Sequence, residues 1–236
     1  MSWHDHIGAR NSLLDKLSTK LCAVPTEALS RRGQREAEPR QGDQRERAIL
    51  DATRRLLDDA PLTELTVGRI AIAAGVPRSS LYFYFSDKTQ IFEVLLAQVL
   101  EGMSAEVERW LLDPGNLSQS WLHRSIAAAV EVARQNSGVM RAATESRGSL
   151  PGVERVCREY FERSVERATV LIERDRAAGT APSEGPSAGD IARALMLMTE
   201  RTIYDLLRSG QGRDAAEQLV ETLTVLWARG VGSEPA

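Results

Sequence analysis

Residues 65–88 read LTVGRIAIAAGVPRSSLYFYFSDK, and this stretch predicts a helix-turn-helix. Thr66 is a good N-cap for a first short helix, and Gly75 is well suited to end it. Between these two positions, small apolar residues recur at helical spacing and allow a second helix to cross closely: Val67, Ile70, Ala71 and Ala74.

The second short helix opens at Pro77. Within it, Leu81 and Phe85 lie four residues apart, so they share a face and should point into a small core. The exposed face carries hydroxyl groups and a guanidinium, which suit base edges and phosphates: Arg78, Ser79, Ser80, Tyr82 and Tyr84. Such a helix fits the width of the major groove, so the stretch predicts a DNA-binding element.

On the N-terminal side of this element, apolar residues at positions 49, 52, 56 and 57 predict a helix that starts near Gln44 and ends before Pro61. Residues 1–43 form a polar leader of mixed charge, which is typical of a flexible arm. Its arginines could contact DNA phosphates or a minor groove, and a solvated linker is the alternative.

On the C-terminal side, the helical period continues from Lys88 almost to the end of the chain. No stretch alternates Val, Ile and Thr as a strand would. We therefore predict an all-α fold with about nine helices after the leader, in which a three-helix DNA-binding domain precedes a larger helical domain. The helix that begins near Lys88 ends before Pro114. After it, the pattern places helices at about 118–135, 139–147, 151–178, 190–208 and 213–229.

Composition narrows the class of protein. The net charge of -3 excludes a bulk polyanion binder, so any nucleic-acid binding must come from a local arrangement of charge. No apolar run approaches the roughly 18 to 20 residues that a membrane span requires. The N-terminus also lacks the apolar stretch of a signal peptide, so we expect a cytoplasmic protein without a membrane partner.

The sequence offers no catalytic constellation, such as a Ser-His-Asp set or a Gly-rich phosphate loop. His123 is the lone histidine of the predicted folded part, and Cys22 and Cys157 form no CxxC pair. We therefore expect no catalytic residues, no metal site and no cofactor. An enzyme with an α-helical pocket is the competing hypothesis.

The same stretch resembles the DNA-binding domain of the TetR family of transcriptional regulators. The resemblance implies that residues 44–90 form the DNA-binding domain. It rests on a dense, ordered pattern: Thr66-Val67, Ile70-Ala71, Ala74-Gly75-Val76, Leu81-Tyr82-Phe83-Tyr84-Phe85 and Asp87-Lys88.

By position, the resemblance also implies which residues meet DNA: Thr66, Val67, Arg69, Pro77, Arg78, Ser79, Ser80, Tyr82, Tyr84 and Lys88. Lys88 would neutralise a phosphate. Because Pro77 cannot hydrogen-bond to a base, Arg78 is the first candidate for direct readout, for example of a guanine. Packing is the competing role for Tyr82, and it is the expected role of Phe83.

Two C-terminal segments, ALMLMTERT at 194–202 and ETLTVLW at 221–227, resemble the EthR-type members of that family. The resemblance implies a ligand-binding and dimerisation domain over residues 91–230 and a homodimer built on the last two helices. A two-fold dimer would read a palindromic operator in double-stranded DNA, with half-sites about 34 Å or a multiple apart. An apolar stripe on the last helix supplies the expected interface: Leu219, Leu223 and Leu226.

A ligand pocket between the middle helices is implied as well. Its candidate residues are Met103, Trp110, Trp121, Met140, Tyr160, Met196, Thr199 and Trp227. Met and aromatic residues at helical spacing are usually core, and that is the competing interpretation. In EthR-type regulators two asparagines line the pocket from the penultimate helix, and Met196 and Thr199 hold those positions here. We therefore expect a more apolar pocket and a lipophilic, elongated effector, with Glu200 and Arg201 forming a buried pair.

Together these features predict a ligand-responsive transcriptional regulator that acts as a repressor. Ligand binding would shift the dimer to a state whose recognition helices no longer match the half-site spacing. A constitutive DNA-binding regulator without an effector is the alternative.

Overall fold

The computed structural model describes residues 41–112 and 118–232 of the chain. The predicted leader therefore lies outside the described residues, apart from positions 41–43. These three form the first turn of a helix that begins at Gln41, somewhat earlier than the sequence pattern indicated.

Nine α-helices and no strand make up the described residues, which confirms the all-α prediction. A single 3-10 turn, Leu62–Glu64, separates the first two helices. The helices are α1 (Gln41–Asp59), α2 (Val67–Ala74), α3 (Arg78–Tyr84), α4 (Lys88–Leu112), α5 (Gln119–Gln135), α6 (Ser137–Ser146), α7 (Pro151–Ala178), α8 (Ala188–Ser209) and α9 (Arg213–Val231).

The turn between α2 and α3 follows from its sequence. The Thr66 hydroxyl accepts a hydrogen bond from the backbone N–H of Arg69 at 3.2 Å, which caps the start of α2. Gly75 ends α2 with φ 66°, a left-handed conformation that glycine adopts at little cost. α3 then turns Leu81 and Phe85 inward, and both are buried as predicted.

Helix α4 connects this three-helix head (α1, α2 and α3) to the remaining helices. Its first turns are fully buried at Ile91, Phe92 and Leu95, and α4 packs against α1 there. Helix α4 also packs against α5 and α7. The head and the C-terminal helices therefore share one continuous hydrophobic core.

Helix α6 makes a second connection to the head. It packs against α1, and a Cβ added at Gly138 would overlap the backbone carbonyl of Leu57. The guanidinium of Arg141 donates a hydrogen bond to that same carbonyl at 3.1 Å. The last turn of α1 is thus held directly by a helix of the C-terminal region.

Across the described ranges, no helix combines the length and apolar character that crossing a membrane requires.

Candidate DNA-binding surface and ligand cavity

Helix α3 exposes most of the side chains that the sequence assigned to DNA. Pro77, Arg78, Ser79 and Tyr82 are exposed, while Ser80 is half-buried. We call the exposed side of α2 and α3 the head surface, and it consists of Arg69, Ile72, Pro77, Arg78, Ser79, Tyr82 and Phe83. It presents a guanidinium, hydroxyls and aromatic rings to solvent.

The Arg78 side chain is held in place by its own helix. Its guanidinium donates a hydrogen bond to the Tyr82 hydroxyl at 3.1 Å and lies 5.7 Å from the centre of the Tyr82 ring. Both contacts span one helical turn. They restrict the guanidinium to a position beside the exposed Tyr82 ring. Less side-chain entropy is therefore lost when Arg78 binds a partner.

At the start of α2, Thr66 and Arg69 are exposed and Val67 is half-buried. The Thr66 hydroxyl is occupied by its capping bond, and the Arg69 guanidinium donates to the carbonyl of Glu64 at 3.2 Å. These residues stabilise the entry to α2. They leave the N-terminal end of that helix open to solvent.

The Lys88 side chain bonds to the protein backbone, whereas a phosphate contact would require its ammonium group to be free. Its ammonium group donates hydrogen bonds to the backbone carbonyls of Leu62 at 2.9 Å, Thr63 at 3.1 Å and Leu65 at 2.8 Å. An ammonium group has three protons, so these bonds use all of them. Lys88 ties the turn between α1 and α2 to the start of α4.

The expected packing role of Phe83 is wrong. Its ring is 84% exposed and touches only the edge of Tyr84 among the described ring contacts, with 5.1 Å between the ring centres. Ile72 on α2 is equally exposed at 84%, and no pattern in the sequence indicated this. Tyr84 is half-buried. Two large apolar side chains therefore stand in solvent on the head surface, where a binding partner would cover them.

The C-terminal helices enclose a cavity of about 430 Å³. That volume lies in the range of small-molecule sites. The side chain of Trp110 lies outside the described side chains. Helices α4 to α9 all contribute to the wall, which includes seven of the eight predicted pocket residues: Met103, Trp121, Met140, Tyr160, Met196, Thr199 and Trp227.

Two of the cavity's polar groups are paired with each other. The Trp227 indole N–H donates to the Thr199 hydroxyl at 2.9 Å, and that hydroxyl donates to the Leu195 carbonyl at 2.8 Å. The position that an asparagine holds in EthR-type regulators is thus used for internal bonding between α8 and α9. The indole N–H of Trp227 and the hydroxyl proton of Thr199 are therefore both used within the protein.

Tyr160 is another buried polar group of the wall. Burial raises the pKa of its hydroxyl, and hydrogen bonds with Ser104 and Ser164 partly offset that rise. Burial also raises the pKa of the nearby Cys157 thiol, which the Arg147 charge partly opposes. Both groups stay protonated and neutral near pH 7.

The predicted buried pair of Glu200 and Arg201 is wrong. Glu200 forms an ion pair with Arg147, which also pairs with Glu154 at 3.0 Å. Arg201 is exposed and pairs with Asp205 at 3.1 Å, one turn along α8. Adjacent residues on a helix point about 100° apart, so the two side chains find different partners.

The predicted dimer residues separate into two faces of α9. Leu223 is 1% exposed and lies in the core of its own chain, so its expected place in an interface is wrong. Leu219 is half-buried. Leu226 is 40% exposed, with Val225 beside it and Leu197 on the neighbouring helix α8 also exposed. An apolar surface therefore exists on the last two helices, and it includes the predicted Leu226 together with Val225 and Leu197.

Comparison with known proteins assigns the fold to a family. The family described as bacterial regulatory proteins of the tetR family matches residues 49–95, and the family of EthR C-terminal domains matches residues 122–232. The regulator EthR of Mycolicibacterium smegmatis is 32% identical over 204 residues, which cover 85% of this chain and 91% of that protein.

The chain belongs to the TetR family. It resembles EthR in particular, since EthR of Mycobacterium tuberculosis is also 29% identical over 86% of this chain and 94% of its own length. The resemblance seen in residues 65–88 is confirmed. The chain is a DNA-binding transcriptional regulator and not an enzyme.

Solved structures share the fold. The regulator FadR of Bacillus subtilis, solved in complex with stearoyl-CoA, superposes with a TM-score of 0.67 at 17% identity and covers 78% of this chain and 98% of its own. NalD of Pseudomonas aeruginosa, a repressor of a multidrug efflux pump, has a TM-score of 0.61 at 22% identity over 80% of this chain and 97% of its own. At such identities the similarity concerns the fold.

Proposed function

We propose that this regulator represses transcription as a homodimer on a palindromic operator, and that a lipophilic small molecule in the cavity releases it from DNA. The observation that carries the proposal is the cavity of about 430 Å³ beneath α6, the helix that also holds the last turn of α1. A core filled by side chains would have favoured a constitutive regulator.

For the DNA contact, we assign residues 44–90 as the reading domain and Arg78 as the residue that reads a base. Arg78 is exposed and braced by Tyr82, and a guanidinium can bond both acceptors of a guanine. Ser79 and Ser80 would contact base edges or phosphates beside it, and Phe83 would pack on sugars or thymine methyl groups. We place the protein in the cytoplasm, where its operator would lie.

For the remaining residues of the head, Thr66, Val67 and Arg69 would approach the DNA backbone at the open end of α2, and Tyr84 would support the surface from behind. Lys88 would act by fixing the turn before α2, since its protons are already bound to three carbonyls. Lys88 would thereby fix the position of the start of α2 relative to the start of α4.

Coupling between the two sites would run through α6. Its Met140 and Ala143 lie on the cavity wall, while its Gly138 and Arg141 contact the end of α1. A ligand that displaces the cavity side of α6 would therefore move the support of the head. Gly138 packs so closely against the backbone of Leu57 that no space remains between α6 and α1 at this point. A small shift of α6 toward α1 would therefore move α1 as well.

For the dimer, we assign the exposed faces of α8 and α9 to the interface within residues 91–230. Leu197, Val225 and Leu226 are exposed apolar side chains on adjacent helices, and covering them in a two-fold bundle would remove them from water. Replacing Leu226 by Arg should yield monomers in analytical ultracentrifugation. A dimer that survives Leu226→Arg at unchanged affinity would contradict this assignment.

The test of DNA recognition is a gel-shift assay on the promoter region of the protein's own gene. Arg78→Ala should weaken specific binding by roughly 10- to 100-fold, since one bidentate base contact is lost. Arg163→Ala is the matched control, because Arg163 is also exposed but lies on α7, where it pairs with Glu101 of α4. Equal binding by Arg78→Ala and the wild type would refute the proposed readout.

A further inference from the structure

Most polar groups around the cavity are already engaged within the protein. Trp227 is bonded to Thr199, and Tyr160 is bonded to Ser104. The cations of the wall are engaged as well. Arg147 holds two glutamates, Arg201 holds Asp205, and Arg167 also has a partner.

Ser125 differs from these groups. It lies on α5, lines the cavity and is only 8% exposed, yet its hydroxyl has no hydrogen-bond partner among the described residues. Ser164 on the opposite wall shows the usual solution, since its hydroxyl donates to the carbonyl of Tyr160 one turn back at 2.9 Å. A buried hydroxyl without a partner is costly, and such groups mark places where a ligand completes the bonding.

The charges around the cavity restrict what that ligand can be. An ionised headgroup loses its hydration on entering an apolar cavity and needs a free opposite charge to compensate. Arg147 already lies between two carboxylates and Arg201 next to one, so neither is available without breaking an ion pair. A neutral polar group needs only a hydrogen bond, which Ser125 can supply as donor or acceptor.

We infer that the effector is an uncharged, elongated apolar molecule with one hydrogen-bonding group, such as an ester, amide or ketone carbonyl, which pairs with the Ser125 hydroxyl. This inference rests on the proposed function, in which the cavity holds the effector. It moves the polar anchor from α8, where Thr199 is occupied and Met196 is apolar, to α5 on another wall.

The experiment is isothermal titration of the full-length protein, without DNA, with three probes matched in chain length: methyl decanoate, dodecane and dodecanoate. Methyl decanoate should bind most tightly, since it alone is neutral and carries a carbonyl. Dodecanoate should bind about tenfold more weakly or worse, because its charge is buried without a free partner.

Variants locate the anchor. Ser125→Ala should lower the affinity for methyl decanoate by about two- to tenfold, which is the effect of one net hydrogen bond. The same variant should raise the affinity for dodecane. Ser164→Ala is the matched control, and it should leave the preference between the two probes unchanged. The melting temperature of free Ser125→Ala should not fall, since the lost hydroxyl had no partner.

Four results would overturn the inference: no binding of methyl decanoate, dodecanoate binding as tightly as the ester, equal losses in the two variants, or a destabilised Ser125→Ala protein. The proposed function fails separately, in gel shifts: if methyl decanoate binds through Ser125 but leaves operator affinity unchanged, the ligand class stands and the release of DNA does not.

Discussion

The aromatic side chains of the head surface are exposed, whereas those around the cavity are buried. Phe83 and Tyr82 stand 84% and 48% exposed on the head, while Trp121 and Trp227 lie 7% and 9% exposed around the cavity. Their polar groups differ in the same way. The Arg78 and Tyr82 pair remains open to a partner, but the Trp227 and Thr199 pair is closed on itself. The head surface thus offers polar groups to a partner, whereas the cavity offers a mainly apolar lining.

The largest effect is expected at Phe85, which directly follows α3, and the matched comparison is Phe83 within α3. Phe85→Ala should lower the free energy of unfolding by about 3 to 5 kcal/mol, since its ring is 3% exposed in the core of the head. Phe83→Ala should change it by no more than about 0.5 kcal/mol, since its ring is in solvent. Urea unfolding measures both. If Phe83→Ala were as destabilising as Phe85→Ala, the head surface would not be a free surface.

Operator binding supplies the reverse comparison for Phe83. We expect folded Phe83→Ala protein to bind its operator more weakly in a gel shift, because the exposed ring serves the partner and not the fold. Unchanged affinity would remove Phe83 from the proposed contact.

Lys88 comes next. Lys88→Met leaves three carbonyls without their charged donor, so unfolding should become easier by about 2 to 3 kcal/mol. The slope of operator affinity against salt concentration should stay the same in Lys88→Met. Loss of a lysine that contacts a phosphate would instead reduce that slope by about one. A reduced slope with unchanged stability would restore the phosphate contact and remove the structural role.

Gly138 tests the contact between the two regions. Gly138→Ala should cost about 1 to 3 kcal/mol of unfolding free energy, because the new Cβ meets the Leu57 carbonyl. Gly148→Ala has open space around its Cβ and is the matched control. Beyond stability, Gly138→Ala should weaken DNA binding by displacing α1 from α6. Equal behaviour of the two variants would show that α6 does not support the head.

The smallest effect is expected inside the cavity. Thr199→Val removes the acceptor of the Trp227 indole and should cost about 1 kcal/mol in thermal or urea unfolding. Thr202→Val is the control, because its hydroxyl bonds only backbone carbonyls of its own helix. If both variants lose the same amount, the indole bond contributes nothing and the cavity wall is more adaptable than its closed pairs indicate.

The sequence predicted the elements of the head better than the faces of its residues. The spacing of four between Leu81 and Phe85 defines one side of a helix and so predicts that both lie in the core. The same spacing puts Phe83 on the other side, but its apolar character suggested packing instead. Leu223 and Leu226 show the reverse case. Both are apolar, and only the packing of α9 against α5 decides that the first faces inward.

Contacts distant in sequence could not be predicted at all. The carbonyls that bind Lys88 lie 23 to 26 residues earlier, and the partner of Trp227 lies 28 residues earlier on another helix. No local pattern announces such bonds, because they depend on how helices cross. The cavity residues were available from family resemblance, but the unpaired hydroxyl of Ser125 required the packed structure.

The two tryptophans on the cavity wall have a practical consequence. Half of the chain's four tryptophans, Trp121 and Trp227, border the space that a ligand would fill. An indole's emission responds to the polarity around it, so occupancy should change the intrinsic fluorescence of the unlabelled protein. The regulator thus carries its own optical reporter, with which a compound library can be screened before any operator is known.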